Sequence, residues 1–170
     1  MRTVLLGDSH LARLRRSLSQ LDGPVVNAAV GGAHAADLLP QARLVGAGPG
    51  DVVVVSVGTN DAAPWKVVPP DEFALLLDEV LGGVDAGRWV YVAPPGVDEA
   101  RLTRPADRTN ADLSVYTGIA TSAFTARGAT GVDTAVLLGD LGPAAFTDDG
   151  VHLTGAAYRL LRPAIADATR

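Results

Sequence analysis

Thr3-Val4-Leu5-Leu6-Gly7-Asp8-Ser9-His10 is the stretch whose reading decides the fold. An apolar run enters Gly7 and Asp8 and ends on a serine. Beyond it Leu11, Leu14 and Leu18 recur at helical spacing. The segment therefore reads as a strand over residues 2–6, a tight turn, and a helix over about 11–21. A serine at such a turn sits at the edge of a sheet, with its hydroxyl exposed and the positive end of a helix behind it. That is a place to keep a nucleophile.

The same alternation continues outward along the chain. Further strands are expected at 24–28, at 51–57, at 88–93 and within 131–138. The third holds four consecutive valines between Gly50 and Gly58, as expected for a strand covered on both faces. Helices are expected at about 35–45, from Pro69-Pro70-Asp71 to about 81, at 109–125 and at about 155–166. Phe73, Leu76, Leu77 and Val80 form one stripe of the third helix. The last is capped by Thr154 and interrupted or kinked near Pro163. Residues 98–107 are polar and arginine-rich and read as a loop. Five strands alternating with helices call for one parallel sheet with helices on both faces, in a single domain over residues 1–170. In such a sheet, sites form beyond the carboxyl ends of the strands.

Those ends carry a consistent set of residues. The first strand runs into Gly7-Asp8-Ser9, and the second is followed by Gly31-Gly32. The third ends at Gly58-Thr59-Asn60-Asp61, and Asp149-Gly150-Val151-His152 precedes the last helix. A hydroxyl nucleophile, a base, an acid to orient the base and donors for an oxyanion are the parts acyl transfer needs. Histidine titrates near neutral pH and suits the base. A carboxylate three residues earlier can meet it across one turn. A glycine N–H lets a substrate approach closely because no Cβ intervenes.

With all four blocks in order, the chain resembles the SGNH (GDSL-type) hydrolase family. The resemblance covers Gly7 to His152. It implies a three-layer α/β/α sandwich with a five-stranded parallel sheet, the flavodoxin-like SGNH fold, and no metal or cofactor. It implies Ser9 as nucleophile, His152 as general base and acid, and Asp149 as the orienting carboxylate. The oxyanion donors would be the N–H of Ser9, the N–H of Gly32 and the amide of Asn60. Gly32 is preferred to Gly31 because it lies five residues past Asn27, as members space this block. The departure is His10, where many members have leucine; that position is expected to face away from the site.

Each of these residues also has a plainer reading. Ser9 alone is a helix cap, Asn60 a turn residue, and His152 a surface histidine. Asp148 rivals Asp149 as the acid. Asp8 and Asp61 read as scaffold groups that accept from backbone N–H groups around the site. Trp65, in the loop after Asn60, is expected either to shape the substrate pocket or simply to pack. His34 is expected either to line the cleft or to start a helix. Arg101, Arg104 and Arg108 read as solvated loop charges rather than anion binders.

Composition narrows the classes. The 170 residues carry a net charge of −5 with no long basic run, which argues against nucleic acid. There is no cysteine, hence neither a disulfide framework nor a thiolate metal site. No apolar run approaches the ~20 residues of a membrane span, and no secretory leader is visible, so a cytoplasmic protein is expected. Gly46–Gly50 precedes a strand and lacks dinucleotide-binding spacing. The G-x-S-x-G elbow of other serine esterases is absent. The expected activity is hydrolysis of a small-molecule or glycan ester, with a short acyl or acetyl group, through an acyl-serine. An acyltransferase or thioesterase using the same residues is the alternative, and a non-catalytic binding module a more distant one.

Overall fold

The computed structural model of the protein describes residues 1–16, 21, 23–104 and 106–170. Five strands form one parallel sheet: β1 (Arg2–Gly7), β2 (Val25–Asn27), β3 (Asp51–Ser56), β4 (Arg88–Val92) and β5 (Thr130–Val132). Their spatial order is β2-β1-β3-β4-β5, a doubly wound order in which the chain reverses direction across the sheet between β1 and β3. The register pairs Val4 with Val53, Leu6 with Val55 and Gly7 with Ser56. The loops carrying Ser9 and Asn60 therefore leave neighbouring strands at the same edge.

Side-chain alternation builds the other two layers. Val4, Leu6, Val53, Val55, Trp89 and Tyr91 face one way. They pack on α2 (Ala35–Leu44), α3 (Pro70–Gly83) and α4 (Asn110–Ala126). Phe124 stacks on Tyr91 at 5.0 Å and meets Trp89 edge-on, closing this side. Leu5, Val52, Val54, Val90, Val92 and Val132 face the other way. They pack on α1 (Ser9–Ala12), α5 (Thr134–Leu138) and α6 (Gly155–Ala168). Every residue of β3 is buried, which is why its valines show no polar alternation. This is the three-layer, flavodoxin-like sandwich.

The differences from expectation have local causes. The helix expected over 11–21 is one α-turn at Ser9–Ala12 followed by a 3₁₀ turn at Arg13–Arg16; residues 17–20, with Leu18, lie outside the described residues. The apolar run over 131–138 divides: the strand ends at Val132, and Asp133 accepts from the Val136 N–H to start α5. A short apolar run cannot be divided by periodicity alone. Residues 98–107 include a 3₁₀ turn at Glu99–Arg101. α6 runs uninterrupted through Pro163 to Ala168. The Thr109–Asp112 capping box starts α4, and Thr154 caps α6. Among the described residues, no helix is long and apolar enough to cross a membrane.

Candidate active site

Ser9 begins α1, two residues past the sharp bend at Gly7, where φ is +126°. The cap of that helix is Asp8, whose Oδ1 accepts from the His10 N–H at 2.9 Å. The Ser9 hydroxyl is thus not needed as a cap. Gln41 of α2 holds the bend from behind: its Oε1 accepts from the Gly7 N–H at 2.6 Å, and its Nε2 donates to the Gly7 carbonyl at 3.0 Å. Both peptide groups of Gly7 are fixed by one buried side chain from 34 residues away.

Across the cleft, Asp149 Oδ2 accepts from His152 Nδ1 at 2.6 Å. The other carboxylate oxygen accepts from the His152 N–H, the Val151 N–H and the Thr147 hydroxyl, at 2.8–3.0 Å. Partial burial pushes the Asp149 carboxyl up, but these donors, led by the His152 ring, outweigh it and hold the group well below the usual carboxylate range. A carboxylate on Nδ1 fixes the tautomer with the proton there and leaves Nε2 to act as the base. Asp148 is exposed, and it is Asp149 that meets the ring.

Ser9, Asp149 and His152 line one cleft of about 410 Å³, together with Gly31, Gly32 and Asn60. Gly32 lies at φ +84°, in the left-handed region that glycine tolerates. Lys66 Nζ donates to its carbonyl at 2.9 Å. Among the described residues the N–H groups of Ser9 and Gly32 donate to no acceptor. Asn60 Nδ2 donates to the Ala33 carbonyl at 3.0 Å, which fixes the amide plane and leaves its second N–H. Asp61, next to it, is fully buried and accepts from Ala35 and Gly58 N–H groups. Burial pushes its carboxyl up to about 6 against those donors. The cleft is thus lined by a serine, by an imidazole that a carboxylate orients, and by Ser9, Gly32 and Asn60 each with an N–H that donates to no acceptor among the described residues. Among the described residues, no three His, Asp or Glu side chains gather as metal ligands.

Trp65 lines this cleft. His34 caps α2, its N–H donating to Asp37 at 2.8 Å, and lines an adjoining cavity that shares Gly31 and Gly32 with the cleft. His10 does not line the cleft. Its buried ring lies between Asp8 and the Val151 carbonyl. Of the three arginines read as solvated charges, Arg108 is not one: it is only 6% exposed and lines the cleft. Its Nε donates to Asp107 at 3.0 Å and its Nη1 to the Thr59 carbonyl at 2.8 Å, which lets the charge be buried. Arg101 pairs with Asp98 and donates to the Phe146 carbonyl at 2.9 Å, bracing the loop that carries Asp149.

A sequence profile of the GDSL-like Lipase/Acylhydrolase family matches residues 6–160. The chain belongs to that family. This GDSL-like protein is an ester-hydrolysing enzyme, and its fold recurs in solved structures of the same kind. A lipase/acylhydrolase from Enterococcus faecalis aligns with a TM-score of 0.79 and 24% identity, over 98% of this chain and 94% of that one. An acetylxylan esterase from Geobacillus stearothermophilus aligns at 0.74 and 20%, over 99% and 93%. An alpha/beta hydrolase from the metagenome of Lake Arreo, Spain, aligns at 0.76 and 20%, over 99% and 94%. At these identities the likeness is one of fold. No curated protein matches the chain.

Proposed function

We propose that the protein, acting as one domain over residues 1–170, hydrolyses short-acyl carboxylic esters, acetyl esters above all, through an acyl-Ser9 intermediate. What carries the reading is the Asp149–His152 pair at 2.6 Å, in one cleft with Ser9 and three N–H donors available to a ligand. His152 Nε2 takes the proton of the Ser9 hydroxyl as Oγ bonds to the ester carbon, and the carbonyl electron pair moves onto its oxygen. The N–H groups of Ser9 and Gly32 and the Asn60 amide receive that oxyanion. As it collapses, the bond to the alcohol breaks and His152 returns the proton to the leaving oxygen. Water then gives its proton to His152 and attacks the acyl carbon. The acid leaves, and Ser9 recovers its proton.

The acyl preference is supported by a cleft of about 410 Å³ and by short connections that leave little chain to cover a long tail. Acetylxylan esterases among proteins of the same fold make an acetylated sugar a fitting natural ester. The test is purified protein on p-nitrophenyl esters from acetyl to octanoyl. Activity is expected to be highest on the shortest chains and to vanish in Ser9→Ala. Unchanged hydrolysis by Ser9→Ala would overturn the mechanism, and a preference for octanoyl would overturn the acyl assignment.

A further inference from the structure

Two arginines and two aspartates line the cleft, so its formal charges cancel, but one of the arginines has no acidic partner of its own. Asp149 is engaged by His152, and Asp107 by Arg108. Arg104 remains. Among the described residues it makes neither an ion pair nor a hydrogen bond, and its one interaction is with Trp65, its guanidinium carbon 4.0 Å from the ring centroid. The Arg108 guanidinium lies 5.0 Å from the same ring. Stacking on an indole uses the face of a guanidinium and leaves its N–H groups, which lie in its plane, for another partner. It also holds an otherwise mobile side chain in place, so less freedom is lost when a ligand binds. An arginine so held presents a planar fork that matches a carboxylate.

The protein as a whole carries −5, a field that disfavours anionic ligands. An arginine without an acidic partner, in the cleft that Ser9 also lines, is therefore a selective feature. We propose that Arg104, positioned by Trp65, is a specificity residue that binds a carboxylate on the substrate, so that the cleft prefers esters bearing an acid group. Two kinds of substrate share this chemistry: those with the carboxylate on the alcohol part, as in an acylated sugar acid, and those with it on the acyl part, as in a half-ester of a dicarboxylic acid. Arg108 lies beside the same ring, held there by its Nε bond to Asp107 and an Nη1 bond to the Thr59 carbonyl.

This rests on the cleft being the esterase site, and the experiment separates the two. Two matched pairs of esters are compared by kcat/KM: 4-acetoxybenzoate with its methyl ester, and p-nitrophenyl hemisuccinate with its methyl ester. The wild type is expected to favour the acid member of one pair by about tenfold, the scale of one charge-assisted contact. The pair that responds identifies which part carries the acid. In Arg104→Gln that ratio should fall towards one, mainly through a higher KM for the acid ester, and Arg104→Lys should restore part of it. Raising salt should erode the preference in the wild type. Equal ratios in wild type and Arg104→Gln on both pairs would overturn the proposal while leaving the esterase reading intact. Failure of the wild type to hydrolyse any of the four esters, or hydrolysis undiminished in Ser9→Ala, would overturn both.

Discussion

His10 Nε2 lies 3.3 Å from the carbonyl oxygen of Val151, so α1, the helix that begins at Ser9, is tied to the loop that carries His152. The other ring nitrogen lies 3.1 Å from Asp8 Oδ1. Both partners are acceptors when Asp8 is ionised, and a ring that satisfies both must donate from both nitrogens and carry a charge. Burial opposes that charge. The Asp8 carboxylate and the Val151 carbonyl outweigh burial and Arg13 and raise the His10 pKa above its ordinary value. Tyr158 completes the surroundings by donating its hydroxyl to the His10 backbone carbonyl.

His10→Leu, the residue that the family resemblance associates with this position, should therefore fold but lose the tether. We expect kcat to fall about tenfold, less than the ~10² that a 1 Å misplacement can cost, with KM nearly unchanged. A raised histidine pKa contributes stability that is full below the unfolded value and lost as pH rises through the folded one. The stability gap between wild type and His10→Leu should thus be wider at pH 6, below the unfolded histidine value, than at pH 9. Urea denaturation at the two pH values checks this; a gap independent of pH, with kcat intact, would remove the tether from the account.

Asn60 has two tasks in one amide. One N–H holds the Ala33 carbonyl at 3.0 Å, beside the Gly32 turn, and the other is assigned to the oxyanion. Asn60→Ala should lower kcat by about 10²–10³, as loss of one such donor does elsewhere. Asn60→Asp should do no better, because a carboxylate puts negative charge where negative charge develops. Steady-state kinetics on p-nitrophenyl acetate measure both. A loss confined to KM would mean that Asn60 binds substrate without stabilising the oxyanion.

Asp149→Asn keeps the shape of the acid but can present an N–H to His152 Nδ1, which favours the wrong tautomer of the ring. The buried acid of a serine protease triad shows losses near 10⁴ for this change. Here the Asp149 side chain is half exposed (51%), so water can partly stand in and about 10² in kcat is expected. Because its carboxyl is held low, the stability Asp149 contributes is present above the unfolded carboxylate value and lost only as pH falls towards its depressed one. The pH–stability curve of Asp149→Asn should therefore merge with that of the wild type only at the acid end. A constant separation across the acid range would contradict this.

Much of this site was legible because its parts are local. Ser9, Gly32, Asn60 and the Asp149–His152 pair each sit just beyond or beside a strand or helix signal that a short window displays, and their order along the chain carried the resemblance. What was not legible depends on distant contacts. Nothing near Arg108 announces its burial, which the Thr59 carbonyl, 49 residues away, makes tolerable. The Gln41 clamp on Gly7 spans 34 residues, and the His10 contact with Val151 spans 141. The border between β5 and α5 was blurred for another reason: Thr134-Ala135-Val136-Leu137-Leu138 suits a strand as well as a helix, and only the Asp133 cap decides it.

Gly7 and Gly46 provide a matched pair for testing how tightly the nucleophile is held. Both lie at positive φ, +126° and +58°. A Cβ on Gly7 would sit 1.9 Å from the Ser56 carbonyl oxygen, whereas one on Gly46 would have nothing within 4 Å. The Gly46→Ala cost is then the backbone strain alone, about 1–2 kcal/mol. Gly7→Ala adds a collision with the backbone of β3, in a segment fixed by the Gln41 side chain on one side and by pairing with Ser56 on the other. Neither neighbour can move without disturbing the central strands. We expect a loss beyond about 4 kcal/mol, or failure to accumulate as folded protein, and in any folded remainder a fall in kcat because Ser9 is displaced. Urea denaturation of both variants, with kcat for each, decides the matter. If Gly7→Ala were as mild as Gly46→Ala in both measurements, the close approach of β1 to β3 would not be what positions Ser9.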